Sequence, residues 1–353
     1  MNASVATVRN DLDNCLANPA RRAYALPTPA GLRESLPVQP ALAARIQAQR
    51  AAVRAVLDGT DDRLLVITGP CSLHDRESAL DYGRRLAALN EELGDRLLIV
   101  MRAYVEKPRT TVGWKGLLHD PRLDGGNDLH AGLHAARSLL IELGELGLPL
   151  ATELLSPMAA PYLEDTLSWA AIGARTTESQ THRELVSGLD LPVGFKNGTD
   201  GDLGTALDAM QAAAHSHTQF GTDDHGRAAL VATAGNPDTH LILRGGRAGP
   251  NCDAASVRAA AERLADSPIN PRLVVDCSHA NSGKDPLRQS TVADDVVAQR
   301  RAGERALVGI MLESHIETGK QALSPALQYG VSITNACLGW SETQQLLRRL
   351  AAG

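Results

Sequence analysis

The feature that most constrains the fold is an alternation of short apolar runs with longer stretches of helical spacing, beginning near residue 63 of the 353-residue chain. Eight apolar runs repeat the pattern, at 64–71, 97–103, 149–155, 169–174, 192–196, 240–244, 272–278 and 306–313. A strand–helix unit repeated eight times predicts an α/β fold, a (β/α)8 TIM barrel. Only 3% of residues are aromatic, so Ala, Val, Leu and Ile must fill the core, as suits strands buried on both faces.

Two segments lie outside this rhythm. We divide the chain into an N-terminal arm and helix, 1–58, and a (β/α)8 barrel, 59–353, which carries an insertion at about 211–238. The proline-rich residues 1–39 are expected to form an extended arm with one short helix, and 41–57 has helical spacing. The arm is either a loose tail or a segment that packs on a neighbouring subunit or builds a regulatory site. The insertion is predicted to form an added β-hairpin.

Composition excludes several classes of protein. The net charge of −6 argues against a general nucleic-acid or membrane surface. No apolar run reaches the roughly 18 residues that a transmembrane helix needs, and residues 1–16 lack the apolar core of a signal peptide. Five scattered cysteines do not resemble a disulfide framework. We therefore expect a cytoplasmic protein that binds neither nucleic acid nor membrane.

Each apolar run ends in a polar or reactive side chain. In chain order these are Cys71, Arg102, Glu153, Arg175, Lys196, Arg244, His279 and Glu313. The carboxyl ends of barrel strands converge on one mouth, where the chemistry of such barrels is placed. Solvated loop residues would not explain all eight together, so the sequence predicts an active site at that mouth.

Cations dominate this set. Four strand ends are basic, and three more cations follow the second run closely, namely Lys107, Arg109 and Lys115. Cations crowded at one mouth repel each other unless anions occupy it, and Arg and Lys suit phosphate and carboxylate groups. The expected ligand is strongly anionic, with more than one phosphate. For any single residue here, the alternative is a surface charge paired with Asp or Glu.

A metal site is the second hypothesis. The first, seventh and eighth strands neighbour each other in a closed barrel, so Cys71, His279 and Glu313 would lie together and could bind a divalent ion. His279 belongs to a polar cluster, Asp276 to Asn281, directly after a buried apolar run. The alternatives are a simply buried cysteine and a hydrogen-bonded histidine at a strand exit.

Six segments also carry a family resemblance. They are Gly69–Asp75 (GPCSLHD), Lys107–Gly116 (KPRTTVGWKG), Gly173–Gln180 (GARTTESQ), Gly194–Asp200 (GFKNGTD), Leu243–Gly246 (LRGG) and Ser278–Asn281 (SHAN). Together they resemble the type I 3-deoxy-D-arabino-heptulosonate 7-phosphate (DAHP) synthases, in particular the feedback-regulated branch. The resemblance runs from about residue 60 to the C-terminus.

The resemblance implies a reaction and its residues. Phosphoenolpyruvate would condense with erythrose 4-phosphate and water, releasing phosphate, in the first step of the shikimate pathway. The residues it assigns to phosphoenolpyruvate are Arg102, Lys107, Arg175, Lys196 and Arg244. The residues it assigns to the sugar phosphate are Lys107, Pro108, Arg109 and Thr110, and the substrate site also includes Lys115 and Glu153. The catalytic candidates are Lys107, Lys196 and His279. An aromatic amino-acid effector and a homo-oligomer, dimer or tetramer, are further expectations.

The implied metal ligands are Cys71, His279, Glu313 and the residue at position 335. Mn²⁺ is the first expectation, with Co²⁺, Fe²⁺ and Zn²⁺ as alternatives. The family's fourth ligand is an aspartate, whereas this chain has Asn335, whose neutral amide oxygen should weaken binding of a hard cation or change the preferred metal.

Other functions remain open at this point. One is a related condensation with another sugar phosphate, although Lys107–Thr110 (KPRT) favours erythrose 4-phosphate. Another is a weakened relative that binds a partner or an effector, for which Asn335 is the only support. A Schiff-base aldolase using Lys196 would leave the three predicted metal ligands without a purpose.

Overall fold

Eight parallel strands close into a barrel in a computed structural model that describes residues 23–352. The barrel strands are β1 (Leu64–Gly69), β2 (Leu97–Arg102), β3 (Leu150–Glu153), β4 (Trp169–Ile172), β5 (Val193–Lys196), β8 (Thr239–Leu243), β9 (Leu273–Asp276) and β10 (Leu307–Glu313). Their order around the barrel is β1-β10-β9-β8-β5-β4-β3-β2. The predicted (β/α)8 fold is confirmed, with one strand in each apolar run.

Helices precede and alternate with the strands. They are α1 (Pro29–Ser35), α2 (Pro40–Asp58), α3 (Arg76–Leu93), α4 (Leu129–Glu145), α5 (Ala160–Leu163), α6 (Gln180–Ser187), α7 (Gly204–Ala213), α8 (Ala254–Ala265), α9 (Arg288–Arg301) and α10 (Trp340–Ala352). Asp75, Asp128 and Asp253 start α3, α4 and α8 by accepting backbone N–H bonds, as helix caps do. The helix predicted between β3 and β4 is shorter than expected: α5 is a single turn followed by a 3₁₀ turn, Glu164–Thr166.

The two faces of the barrel strands enter different cores. In β1, Leu65 and Ile67 join a smaller buried cluster, while Leu64 and Val66 join the larger cluster shared with the surrounding helices. This alternation follows from the two-residue period of a strand. Helix α2 adds Val53, Val56 and Leu57 to the smaller, interior cluster. The helix therefore seals the amino end of the barrel and leaves the carboxyl end for ligands.

The predicted hairpin is confirmed as an antiparallel pair, β6 (Thr218–Thr222) and β7 (Ala228–Ala232). Its turn contacts the N-terminal segment: Ala30 N–H donates to the Asp224 carbonyl (2.9 Å), and Arg33 lies 2.6 Å from the Asp224 carboxylate. The two additions to the barrel thus touch each other. Of the predicted arm, residues 1–22 lie outside the described part of the chain. Among residues 23–352, no helix is long and apolar enough to cross a membrane.

Candidate active site

A cavity of about 460 Å³ opens where the carboxyl ends of the barrel strands meet. Eleven of the predicted site residues line it, from six strand ends, the loop after β2 and the C-terminal segment: Lys107, Pro108, Arg109, Thr110, Glu153, Arg175, Lys196, Arg244, His279, Glu313 and Asn335. These residues are far apart in the chain and meet because the parallel strands all end on one side.

Arg102, at the end of β2, is buried, is not among the cavity-lining residues, and keeps hydrogen-bond donors without partners. Its side chain is 1% exposed, stacks over the Tyr104 ring at 3.9 Å, and places Nη2 3.4 Å from Glu313 Oε1. Its Nε and Nη1, and the Tyr104 hydroxyl, have no hydrogen-bond partner among the described residues. A buried guanidinium with unused donors carries a large cost unless an anion completes it. The unused donors of Arg102 are therefore suited to an anionic ligand.

Asp276, the last residue of β9, connects two site residues. Its Oδ2 lies 2.9 Å from Lys196 Nζ and 2.9 Å from His279 Nδ1, and its Oδ1 accepts from Ser278 Oγ at 2.6 Å. Burial by itself would raise the pKa of Asp276, but Lys196, His279 and Ser278 together hold that pKa well below its usual value. The group is an ionised, fully buried carboxylate. His279 reaches it from a backbone with φ of 55°, an uncommon conformation for a residue with a side chain.

A second group of contacting site residues consists of Cys71, Glu313 and Asn335. The Asn335 N–H points at Cys71 Sγ (3.4 Å), and Asn335 Nδ2 donates to Glu313 Oε2 (3.1 Å). Burial, and then Glu313, raise the pKa of the Cys71 thiol. Burial opposes ionisation of Glu313, yet His279, Arg102 and Lys107 lower its pKa overall.

The donor set fits a divalent ion in chemistry, because thiolate, imidazole, carboxylate and amide oxygen are all metal ligands. Three of the four residues are in contact, and His279 lines the same cavity. Within residues 23–352, however, no three His, Cys, Asp or Glu side chains are already grouped closely enough to hold an ion. Asn335 contributes to this absence, because it stands at the fourth predicted ligand position and is not a His, Cys, Asp or Glu residue.

The loop from Lys107 to Gly116 forms one wall. Lys107 N–H donates to the Lys115 carbonyl (2.8 Å), Lys107 Nζ donates to the Cys71 carbonyl (3.1 Å), and Arg175 Nη2 donates to Thr110 Oγ1 (3.0 Å). These bonds tie the loop to both β1 and β4. The Lys115 side chain is exposed and is not among the cavity-lining residues.

Comparisons with known proteins agree with this architecture. Residues 41–348 match the model of the DAHP synthetase I family. The chain belongs to the DAHP synthetase I family. A Tyr-sensitive phospho-2-dehydro-3-deoxyheptonate aldolase of Escherichia coli (strain K12) is 52% identical over 328 residues, 92% of each chain. A phospho-2-dehydro-3-deoxyheptonate aldolase of Corynebacterium glutamicum is 48% identical over 353 residues, covering 97% of this chain and 96% of the relative.

A solved structure of a phospho-2-dehydro-3-deoxyheptonate aldolase from Francisella tularensis SCHU S4 has the same fold, with a TM-score of 0.92 and 39% identity over 94% of this chain and 97% of its own. The resemblance to this family predicted from six sequence segments is therefore confirmed.

For this member of the DAHP synthetase I family, sequence reasoning missed several cavity residues. Gln289 is 1% exposed and holds Glu313 through both backbone groups, accepting from its N–H (2.8 Å) and donating to its carbonyl (3.0 Å). Lys284 and Lys320 add two cations to the lining. All three lie away from the strand ends, so the expectation that site residues follow the apolar runs could not identify them. Asp276 was placed in the polar cluster but given no role.

Proposed function

We propose that this protein condenses phosphoenolpyruvate with erythrose 4-phosphate and water to give DAHP and phosphate, the first step of the shikimate pathway. Membership of the DAHP synthetase I family supports this assignment, as do the activities printed for relatives near 50% identity. The observation that carries it is the cavity at the barrel mouth, where five cations from four different segments face one space: Lys107, Arg109, Arg175, Lys196 and Arg244. Such a ring suits two phosphorylated substrates that would otherwise repel each other.

Phosphoenolpyruvate is assigned to the inner cations. Arg102 supplies buried donors without partners, Lys196 is anchored from behind by Asp276, and Arg175 and Arg244 reach in from β4 and β8. Guanidinium forks match the geometry of carboxylate and phosphate. Erythrose 4-phosphate is assigned to Lys107–Thr110, nearer the opening, and the two sites together bring C3 of phosphoenolpyruvate to the aldehyde carbon.

The reaction joins those two carbons, adds a water oxygen to C2 of phosphoenolpyruvate and breaks the bond from C2 to the phosphate oxygen. Lys107 and Lys196 are placed to balance charge that develops on the reacting groups, since both are buried cations facing the cavity. Glu153 lines the cavity within the electrostatic reach of both lysines.

The family implies a divalent metal ion, and we assign it to Cys71, His279, Glu313 and Asn335, with Mn²⁺ as the first choice and Co²⁺, Fe²⁺ or Zn²⁺ as alternatives. When bound, the ion would polarise the aldehyde oxygen or activate water. Cys71 and Glu313 supply two negative charges as thiolate and carboxylate, which match the charge of the ion.

An aromatic amino acid is the proposed effector, because relatives are described as Tyr-, Trp- or Phe-sensitive. We place its action at the contact between the N-terminal segment and the hairpin, which lies outside the barrel mouth. A homo-oligomer, dimer or tetramer, in the cytoplasm completes the proposal.

A direct assay tests the reaction. Purified protein, both substrates and a panel of divalent metals should show loss of phosphoenolpyruvate absorbance that requires erythrose 4-phosphate, with DAHP and phosphate formed in equal amounts. Arg109→Ala should raise the KM for erythrose 4-phosphate. Arg122→Ala, an exposed arginine paired with Asp128 and absent from the cavity lining, is the matched control. Turnover with another sugar phosphate alone would refute the substrate assignment.

A further inference from the structure

His279 is predicted to bind the metal, and it has two ring nitrogens that could do so. A neutral imidazole carries a proton on one nitrogen and a lone pair on the other, and only the lone pair can bind a metal. The choice is set by the hydrogen bonds that the remaining nitrogen makes. In this structure, every polar contact of the His279 ring within residues 23–352 involves Nδ1.

Both neighbours of Nδ1 are acceptors. Asp276 Oδ2 lies 2.9 Å away, and a carboxylate can only accept. Ser278 Oγ lies 2.7 Å from Nδ1 and 2.6 Å from Asp276 Oδ1. Since Ser278 must donate its hydroxyl proton to the carboxylate, its oxygen is left to accept from Nδ1. The proton of the neutral ring is therefore on Nδ1, and Nε2 keeps a free lone pair in a side chain that lines the cavity.

The carboxylate is itself held in place. Asp276 is 0% exposed, Lys196 Nζ lies 2.9 Å from the same Oδ2 that faces His279, and the Ser278 N–H donates to Oδ1 at 3.0 Å. The ring is also fixed from the backbone side, because His279 has φ of 55° and its carbonyl accepts from Lys284 N–H at 2.7 Å. Both oxygens of the carboxylate therefore have partners, Oδ1 from Ser278 and Oδ2 from Lys196 and His279.

We propose that Asp276 is a positioning residue that, with Ser278, fixes the tautomer and orientation of His279 so that Nε2 is the nitrogen presented to the metal. This inference rests on the metal site of the proposed function, and it assigns Asp276 no contact with substrate or metal. Lys196 therefore has two roles. It is assigned to phosphoenolpyruvate, and it also neutralises the Asp276 carboxylate, which orients His279.

Metal binding by the apo-protein is the first test, because it needs no turnover. Mn²⁺ affinity, measured by titration of free Mn²⁺ in electron paramagnetic resonance, should fall about 10- to 100-fold in Asp276→Asn, the range for loss of such a partner. Ser278→Ala should cost less, because Asp276 Oδ2 remains beside Nδ1. The matched control is Asp165→Asn, which neutralises a carboxylate bonded to the fully buried Arg137 far from the cavity lining. Equal Mn²⁺ affinity in Asp276→Asn and wild type would overturn the proposal.

A second measurement avoids variants that fail to fold. In wild-type apo-protein labelled with ¹⁵N-histidine, the His279 ring should give the signals of an Nδ1–H tautomer with unprotonated Nε2, the resonance being assigned by its loss in His279→Gln. An Nε2–H tautomer would refute the inference. If wild type neither binds Mn²⁺ nor forms DAHP, the proposed function fails, yet the tautomer still decides whether Asp276 positions the ring.

Discussion

Two buried or half-buried histidines at opposite ends of the barrel show how one residue type serves two purposes. His240, near the start of β8, is completely buried, and its Nε2 accepts from Trp169 Nε1 at 3.3 Å. His279, beyond the end of β9, lies in the cavity with Asp276 behind it. No carboxylate is in contact with the His240 ring within the described residues, and burial lowers its pKa to about 3.

For this pair of histidines, a buried carboxylate distinguishes the ring that lines the cavity from the ring that packs in the barrel interior. At the amino end of the barrel, which α2 seals, His240 packs as a neutral ring against Trp169 of the smaller, interior cluster. At the open end, charges are kept buried: Arg102 retains unused donors, and Asp276 is ionised and paired with Lys196 and His279. Changes at the open end should therefore alter ligand binding, and changes at the sealed end should alter stability.

The largest expected effect is at the open end. Removal of divalent metal with a chelator should abolish turnover, because Cys71, His279 and Glu313 would lose the ion on which the chemistry is proposed to depend, and Mn²⁺ should restore it. The circular dichroism spectrum should stay unchanged, since the sealed end holds the barrel together. Full turnover by rigorously metal-free protein would rule out the assigned metal role.

The second prediction concerns the sealed end. The folded-state pKa of His240, about 3, lies below the value of roughly 6.5 expected in the unfolded chain. The unfolded state therefore binds the proton first, so the contribution of His240 is fully present above pH 6.5 or so and is lost as pH falls toward 3. The slope is at most about 1.4 kcal/mol per pH unit.

His240→Gln should remove that slope while retaining an acceptor for Trp169. Urea unfolding between pH 7 and pH 4 is the measurement, and the difference between variant and wild type isolates this group from the carboxylates that titrate in the same range. Parallel pH profiles for the two proteins would show that His240 is not buried as a neutral ring. Mn²⁺ affinity at pH 7 should be unchanged by the substitution.

Much of the barrel follows from sequence because burial on both faces requires the apolar runs that mark the strands. All eight strands lie at the predicted runs, and six of eight strand-end side chains line one cavity. What could not be predicted depends on three-dimensional bonding. Gln289 holds Glu313 from a helix start, and the pairing of Asp276 with Lys196 spans 80 residues of chain. The sequence separates His279 from His240 only by position, because His279 follows an apolar run and His240 begins one; the neighbours of each ring come from the fold.

The third prediction returns to the open end. Arg175→Ala and Arg244→Ala should each weaken phosphoenolpyruvate binding at least about tenfold, since a charge-assisted bond contributes roughly 1.5–3 kcal/mol. Both arginines are partly or fully exposed, so the free energy of unfolding should change by no more than about 0.5 kcal/mol. Arg85→Ala, an exposed arginine paired with Asp81 on α3, is the control. Wild-type phosphoenolpyruvate affinity in both site variants would remove these residues from the site.

The prediction with the smallest lower bound, and the most discriminating one, concerns Asn335. The Asn335 Nδ2 donates to both Glu313 oxygens, at 3.1 and 3.3 Å. Asn335→Asp replaces that donor with a second carboxylate beside Glu313, and like charges at this distance repel. The variant without metal should therefore melt at a lower temperature than wild type.

When Mn²⁺ is bound, Asn335→Asp is expected to stabilise the protein. An aspartate at 335 adds a third anion to Cys71 and Glu313, so Mn²⁺ binding should tighten by on the order of 1–3 kcal/mol, about 5- to 150-fold. The same substitution is thus expected to destabilise the apo-protein and stabilise the Mn²⁺ complex, which a general packing effect would not do. Faster turnover in the variant would identify the natural protein as a weakened synthase. If both the melting temperature and the Mn²⁺ affinity stay at wild-type values, Asn335 does not face the metal, and the open end holds its ion with three residues.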